Sequence, residues 1–168
     1  MNAQRRSRRL HTEPIVQLTM LSNWLFFVLA LCAGAMMPTQ AAINNKLAHY
    51  VQSPVLAAFV SFAVGTAALF AYILATGIPL PQLAGARHAP AIAWVGGLLG
   101  GFFVAASVTL VPRLGVALTF SLLVAGQMVV TLVIDHFGLL EVPVRTINWP
   151  RLLGVLLVVS GVVLIRRF

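Results

Sequence analysis

The chain has 168 residues, of which 60% are hydrophobic and only 8% are charged. A soluble domain carries about 25% charged residues, so this composition excludes a soluble globular protein and indicates that a bilayer is the main solvent. The net charge of +8 does not indicate nucleic-acid binding, because outside the amino-terminal tail the basic residues stand at the ends of apolar runs, where they meet lipid headgroups.

The amino-terminal segment is polar and basic, with a cluster of four arginines at positions 5, 6, 8 and 9. We predict that residues 1–22 form a disordered tail and that residues 23–168 form one transmembrane domain. Met20 stands just before the first apolar run, so the sequence leaves open whether translation starts at Met1 or at Met20.

Five apolar runs follow the tail, and each is close to the roughly 20 residues that cross the hydrocarbon core. They cover residues 24–43, 55–74, 91–111, 116–134 and 149–165. None alternates apolar and polar residues as a barrel strand does. The predicted fold class is therefore an all-α membrane protein with five transmembrane helices.

Proline and glycine mark the predicted helix boundaries. Ser53 and Pro54 open the second helix, Pro90 opens the third and Gly138 closes the fourth. Residues 112–115 form a very short turn, which makes the third and fourth helices antiparallel neighbours.

In the first span, Pro38 removes one helical hydrogen bond and predicts a kink. Gln40 and Asn44 stand four residues apart, so they share a helix face just beyond the kink. This polar corner predicts a ligand contact. The alternative is structural, with Gln40 bonding a neighbouring helix and Asn44 capping the helix end.

The third span contains two overlapping pairs of glycines, Gly96 with Gly100 and Gly97 with Gly101. Small residues at this spacing let helices approach closely in a membrane, so these four glycines are predicted to mediate helix packing. The same surface would also let helices slide during a conformational cycle.

The fourth span places Gln127, Thr131 and Asp135 at successive four-residue steps, which makes one polar stripe. Asp135 is followed by His136, and this pair is predicted to couple transport to an ion or a proton. The alternative is that the two residues lie at the membrane interface and pair with Arg145 or a headgroup.

The sequence lacks the usual signals of an enzyme. It contains no nucleophile and base at a recognisable spacing, no phosphate-binding loop and no set of metal ligands. The single cysteine, Cys32, excludes an intramolecular disulfide and a cysteine metal cluster. We therefore predict no catalytic residues, no metal and no cofactor.

The basic residues outside the tail are nearly balanced between the two membrane faces. One face carries Arg87, Arg145 and Arg151, and the other carries Lys46, Arg113, Arg166 and Arg167. The positive-inside rule then gives little orienting force, which favours insertion in both orientations and an antiparallel dimer. The alternative is that the basic tail imposes a single orientation.

The pattern of polar, proline and glycine positions resembles the YdcZ family of small bacterial membrane proteins. The residues that carry the resemblance are Pro38, Gln40, Asn44, Ser53, Pro54, Ser61, Phe62, Gly65, Trp94, Gly126, Gln127, Asp135, His136, Phe137 and Gly138. The resemblance implies half of a ten-helix, inverted-repeat transporter of the drug/metabolite transporter superfamily. It also implies a homodimer, or a heterodimer with a paralogue, in the bacterial inner membrane.

The predicted function is the transport of a small molecule, in the export direction, by alternating access through a cavity between the first and fourth helices. The predicted substrate-binding residues are Gln40, Asn44, Ser61, Trp94, Gln127 and Thr131. Trp94 is equally suited to anchoring its helix at the membrane interface. A channel and a non-transporting scaffold subunit are the alternative functions.

Overall fold

The computed structural model describes the backbone of residues 3–168 and the side chains of residues 24–168. Within that range five helices are long and apolar enough to cross a membrane, and there is no strand. The prediction of an all-α protein with five transmembrane helices is therefore confirmed. The side chains of the predicted tail, residues 1–22, lie outside the described residues, so its disorder stays a prediction.

The five helices keep the predicted order with somewhat wider bounds. They are α1 (Ala3–Val51), α2 (Pro54–Thr76), α3 (Ala91–Leu114), α4 (Val116–Phe137) and α5 (Trp149–Arg167), with 3₁₀ helices at Leu80–His88 and Leu139–Glu141. The apolar part of α1 is Trp24–Val51, which extends past the predicted end at residue 43. Hydropathy marks only the part of a helix in hydrocarbon, whereas backbone hydrogen bonds continue the helix into the polar interface.

The helix ends follow the predicted signals. The Ser53 hydroxyl accepts a hydrogen bond from the Leu56 N–H at 3.3 Å, which caps the start of α2. Gly138 ends α4 with a φ of 60°, a left-handed conformation that favours glycine. The turn before α4 is shorter than predicted: α3 runs through Pro112 and only Gly115, at φ 79°, leaves the helical conformation.

The chain divides into two compact units, residues 1–40 and residues 41–168. The first unit contains the amino-terminal part of α1. In the second unit α2 packs against α3, α3 against α4, and α4 against α5. A small core forms around Ala58, Val104 and Val108, against which Ala48 of α1 also packs.

Most apolar side chains of the helices are exposed. In each of the five spans, at most 17% of the most hydrophobic segment is buried. Large side chains such as Phe59, Leu98 and Phe102 lie on the outside. This surface is suited to lipid or to another transmembrane protein, and it is much larger than the interior.

Candidate functional site

Asn44 is the one proposed substrate-binding residue that is fully buried, with 4% of its surface exposed. It lies in the second unit, on the same face of α1 as Ala41 and Ala48. Because α1 continues to Val51, Asn44 lies inside the helix, and the alternative that it caps the helix end is wrong. Its amide nitrogen Nδ2 has no hydrogen-bond partner among the described residues. A buried donor without a partner is costly, so this site favours an acceptor from water or a ligand.

Gln127 and Thr131 lie on one face of α4, as predicted, but that face is exposed. The Thr131 hydroxyl donates to the Gln127 carbonyl at 2.7 Å, so it is satisfied within its own helix. The Gln127 side chain stands at the middle of α4 and is exposed. Gln127 and Thr131 therefore point away from the chain's own core, whereas Asp135, the third member of the predicted stripe, is only 17% exposed. We refer to Gln127 and Thr131 as the α4 polar face.

The remaining proposed substrate-binding residues lie at separate places. Ser61 is half-buried on α2, whereas Trp94 is 63% exposed in the first turn of α3. Gln40 is the last residue of the first unit and is exposed. The helix α1 continues through Pro38 without a break. A kink bends a helix without ending it, so the predicted kink stays a prediction.

The carboxyl end of α4 is tied to the start of α5 by Asp135. Arg151 Nη2 donates to Asp135 Oδ2 at 2.6 Å, and Arg151 Nη1 donates to the Arg145 carbonyl at 2.9 Å. The Arg145 N–H in turn donates to the Asp135 carbonyl at 2.8 Å. The ion partner of Asp135 is therefore Arg151, and the predicted alternative of an Arg145 side-chain pair is wrong. We refer to Asp135, His136, Arg145, Ile147 and Arg151 as the α4–α5 junction.

His136 also contributes to the junction. Its Nδ1 accepts a hydrogen bond from the Ile147 N–H at 3.2 Å, which holds the loop before α5. Its ring lies edge-on to that of Phe137, with 4.8 Å between the centroids. In this arrangement Nδ1 carries no proton. Ion or proton coupling by Asp135 and His136 stays a prediction, and it requires a cation to compete with Arg151.

The four glycines of α3 differ in their surroundings. A Cβ placed on Gly100 would lie 3.5 Å from the Phe62 ring, so Gly100 lies close to α2. A Cβ on Gly96, Gly97 or Gly101 would meet no heavy atom within 4 Å. These three glycines mediate no close helix contact within the described part of the chain, so their role in helix packing stays a prediction.

A groove of about 480 Å³ opens between the start of α3 and the 3₁₀ helix Leu139–Glu141. It is lined chiefly by apolar side chains, including those of Ile92 and Leu99, and by Leu140 and Glu141. We call it the Glu141 groove. No pattern in the sequence predicts this groove, because Glu141 lies outside the apolar spans. The available signal was that Glu141 is one of only three acidic residues in the chain.

Among residues 24–168 there is no group of three or more His, Cys, Asp or Glu side chains that could hold a metal ion. The polar groups of the proposed substrate-binding residues are three amides, two hydroxyls and the indole N–H of Trp94. Such groups suit the recognition of a neutral or weakly charged small molecule by hydrogen bonds.

Comparison with known proteins gives one family and one relative. The family described as "Putative inner membrane exporter, YdcZ" matches residues 25–164. The "Inner membrane protein YdcZ" of Escherichia coli (strain K12) is 41% identical over 71 residues, which cover 42% of this chain and 48% of the relative. The matched region thus spans about half the length of that curated relative. No solved structure matches the chain.

Proposed function

Because this chain belongs to the family described as "Putative inner membrane exporter, YdcZ", we propose that it exports a small molecule by alternating access as an antiparallel dimer. The family match confirms the resemblance found in the sequence. It also confirms, together with the five apolar helices, a multi-pass protein of the inner membrane.

The α4 polar face is the observation that carries the proposal. An amide exposed to hydrocarbon at the middle of a span leaves its donors and acceptors unpaired, which is costly. Gln127 is exposed in the single chain, and its helix is apolar on both sides of it. A second copy of the chain that packs over the α4 polar face and encloses a water-filled cavity would remove that cost. It would also place the amides along the path of a substrate.

The balance of charge supports the antiparallel arrangement. The loop between α2 and α3 carries Arg87, and the loop between α4 and α5 carries Arg145. Arg151, in the first turn of α5, lies on the same membrane face. The opposite face carries Lys46, Arg113 and the two arginines that end α5. Outside the amino-terminal tail, three basic residues against four provide little preference for one orientation. Both orientations of the same chain are then available to form an inverted pair.

Within this proposal Gln40, Asn44 and Gln127 bind the substrate by hydrogen bonds. Nδ2 of Asn44 has no hydrogen-bond partner among residues 24–168, which supports a role as a donor to a substrate acceptor. Ser61, Trp94 and Thr131 complete the set of residues that face the transported molecule. Asp135 would couple an ion only in a state in which Arg151 releases its carboxylate.

Disulfide crosslinking tests the dimer and its orientation. In a Cys32→Ser background, Val124→Cys and Thr131→Cys flank Gln127 on nearly the same side of α4. In an antiparallel dimer centred on Gln127, the first cysteine of one copy meets the second cysteine of the other. We expect a crosslinked dimer in membranes only when both variants are co-expressed.

Val129→Cys is the matched control, because Val129 is also exposed but points away from Gln127. Crosslinks of each variant with itself would indicate a parallel dimer. An absence of crosslinks at both positions would remove the proposed interface. Either result would overturn the antiparallel pair.

Export itself is tested by mass spectrometry of the medium around cells that express the protein. We expect at least one small molecule to accumulate outside with the wild-type chain but not with Gln127→Leu at equal membrane abundance. An ion current through planar bilayers that does not saturate would indicate a channel. The absence of both accumulation and current would indicate a scaffold. Either result, the unsaturable current or the absence of both signals, would contradict a carrier.

A further inference from the structure

We infer that the Glu141 groove binds an amphipathic organic cation, with its apolar body along α3 and its positive charge on the Glu141 carboxylate. The groove lies wholly within the second unit and is separate from Asn44 and the α4 polar face. The inference therefore goes beyond the proposed export function and concerns binding at a different place.

The size and lining of the groove suit an organic molecule. Its volume of about 480 Å³ lies within the roughly 300–1,000 Å³ of small-molecule sites. Ile92, Val95 and Leu99 recur at helical spacing, so one apolar face of α3 lines it. Gly96 lies on the same face and adds no side chain, which leaves room for a ligand beside the helix backbone.

Charge identifies the class of occupant. Among the residues whose side chains the structure describes, Glu141 is the only charged one that lines the groove. Among residues 24–168 the other acidic side chain, Asp135, is paired with Arg151, whereas Glu141 forms no ion pair. A lipid tail or a neutral molecule in the groove would desolvate this carboxylate without replacing its water. An ammonium or phosphonium group would compensate the charge beside an apolar wall, where Coulomb attraction is stronger than in water.

Two of the lining residues, Leu140 and Glu141, have an unusual backbone conformation. Leu140 and Glu141 are consecutive non-glycine residues with φ values of 59° and 63°. Left-handed conformations are unfavourable for such side chains, and they concentrate at ligand sites where the surrounding structure maintains them. Here they bring an apolar side chain and a carboxylate to the same groove.

Equilibrium dialysis with tritiated tetraphenylphosphonium tests the inference on the full chain in phosphatidylcholine nanodiscs, with empty nanodiscs subtracted. We expect saturable binding to the wild-type chain. Glu141→Gln removes the charge at nearly constant shape and should weaken binding at least tenfold, whereas Glu141→Asp should retain most of it. Triphenylphosphine oxide, a neutral molecule of similar size, should compete poorly.

A second variant probes the apolar wall independently of charge. Gly96→Val places a side chain in the groove and should also weaken binding at least tenfold. Gly154→Val on α5 is the matched control, because a Cβ there also meets no heavy atom within 4 Å but lies outside the groove. It should bind as the wild-type chain does.

Three results would overturn the inference: no saturable binding above empty nanodiscs, equal binding by Glu141→Gln, or equal competition by the neutral oxide. The last would show a groove for apolar groups in general, such as acyl chains. A lower melting temperature of Glu141→Gln with unchanged binding would assign the carboxylate to the stability of the α3 start. Crosslinking at Val124 and Thr131 is independent of all these results, so failure here leaves the proposed exporter standing.

Discussion

Two regions of α4 differ in whether their polar side chains have partners within the chain. At the α4–α5 junction the Asp135 carboxylate, its backbone carbonyl and His136 Nδ1 all have partners within the chain. On the α4 polar face the Gln127 side chain is exposed to the outside of the chain. Satisfied groups stabilise the fold, whereas exposed amides at mid-membrane depth are available to a partner or a substrate. We therefore predict a structural role for the α4–α5 junction and a binding role for the α4 polar face.

The largest effect on the free energy of unfolding is expected from breaking the ion pair. Arg151→Leu leaves the Asp135 side chain, which is only 17% exposed, without its cation. We expect a loss of roughly 2–3 kcal/mol in a denaturation titration in mixed micelles. Arg145→Leu is the control, because Arg145 contributes only backbone groups to the junction. Equal losses in the two variants would contradict the assignment of the pair to Arg151.

The next largest effect on the free energy of unfolding is expected at Gly138, the glycine that ends α4. Gly138 has a φ of 60°, and an added Cβ would lie 2.6 Å from Val144 Cγ2. Gly138→Ala should therefore lower the free energy of unfolding by about 2 kcal/mol, because it adds both left-handed strain and a clash. Gly154→Ala, which meets open space, should be neutral or slightly stabilising in the same titration. A neutral Gly138→Ala would mean that the turn relaxes freely.

A smaller and opposite effect is expected at Asn44. Asn44→Leu removes a buried donor that has no partner among the described residues, at similar volume. We expect the free energy of unfolding to rise by about 1 kcal/mol while export falls. Asn45→Leu is the control, since Asn45 is only half-buried. A loss of stability in Asn44→Leu would show that the amide is hydrogen-bonded in the folded protein. Asn44 would then have a structural role, like the polar groups of the α4–α5 junction.

The smallest change in stability is expected on the α4 polar face. Gln127→Leu should alter the free energy of unfolding of the monomer by less than about 0.5 kcal/mol, because its side chain is exposed. Export, measured by accumulation in the medium, should be lost. A variant that unfolds readily but still exports would reverse the roles given to the two regions of α4.

Much of the fold is predictable because its signals are local. Proline and glycine at Pro54, Pro90 and Gly138 act on the backbone of their own turn, and each of these boundaries is confirmed. The end of α1 was placed too early, because hydropathy falls near Asn44 and Lys46 while helical hydrogen bonds continue to Val51. That error also produced the wrong suggestion that Asn44 caps the helix.

The candidate site was predictable only in part. The four-residue spacing placed Gln127 and Thr131 on one face, but spacing does not indicate whether that face turns inward or outward. The partner of Asp135 lies 16 residues away across a loop, and Arg145, the nearer arginine, was the wrong choice. The Glu141 groove was not predicted, because neither the start of α3 nor the segment Leu139–Glu141 shows by itself that a groove lies between them.

The sequence by itself determined that the chain lies in a membrane, how many helices cross it and where most of them start and stop. These properties follow from the transfer of side chains to lipid and from backbone geometry within single turns. Only the tertiary structure decided that Asn44 is buried, that Gln127 is exposed, that Arg151 neutralises Asp135 and that a groove opens beside Glu141. Each of these depends on the approach of segments distant in the chain, because burial and ion pairing are properties of the space between helices.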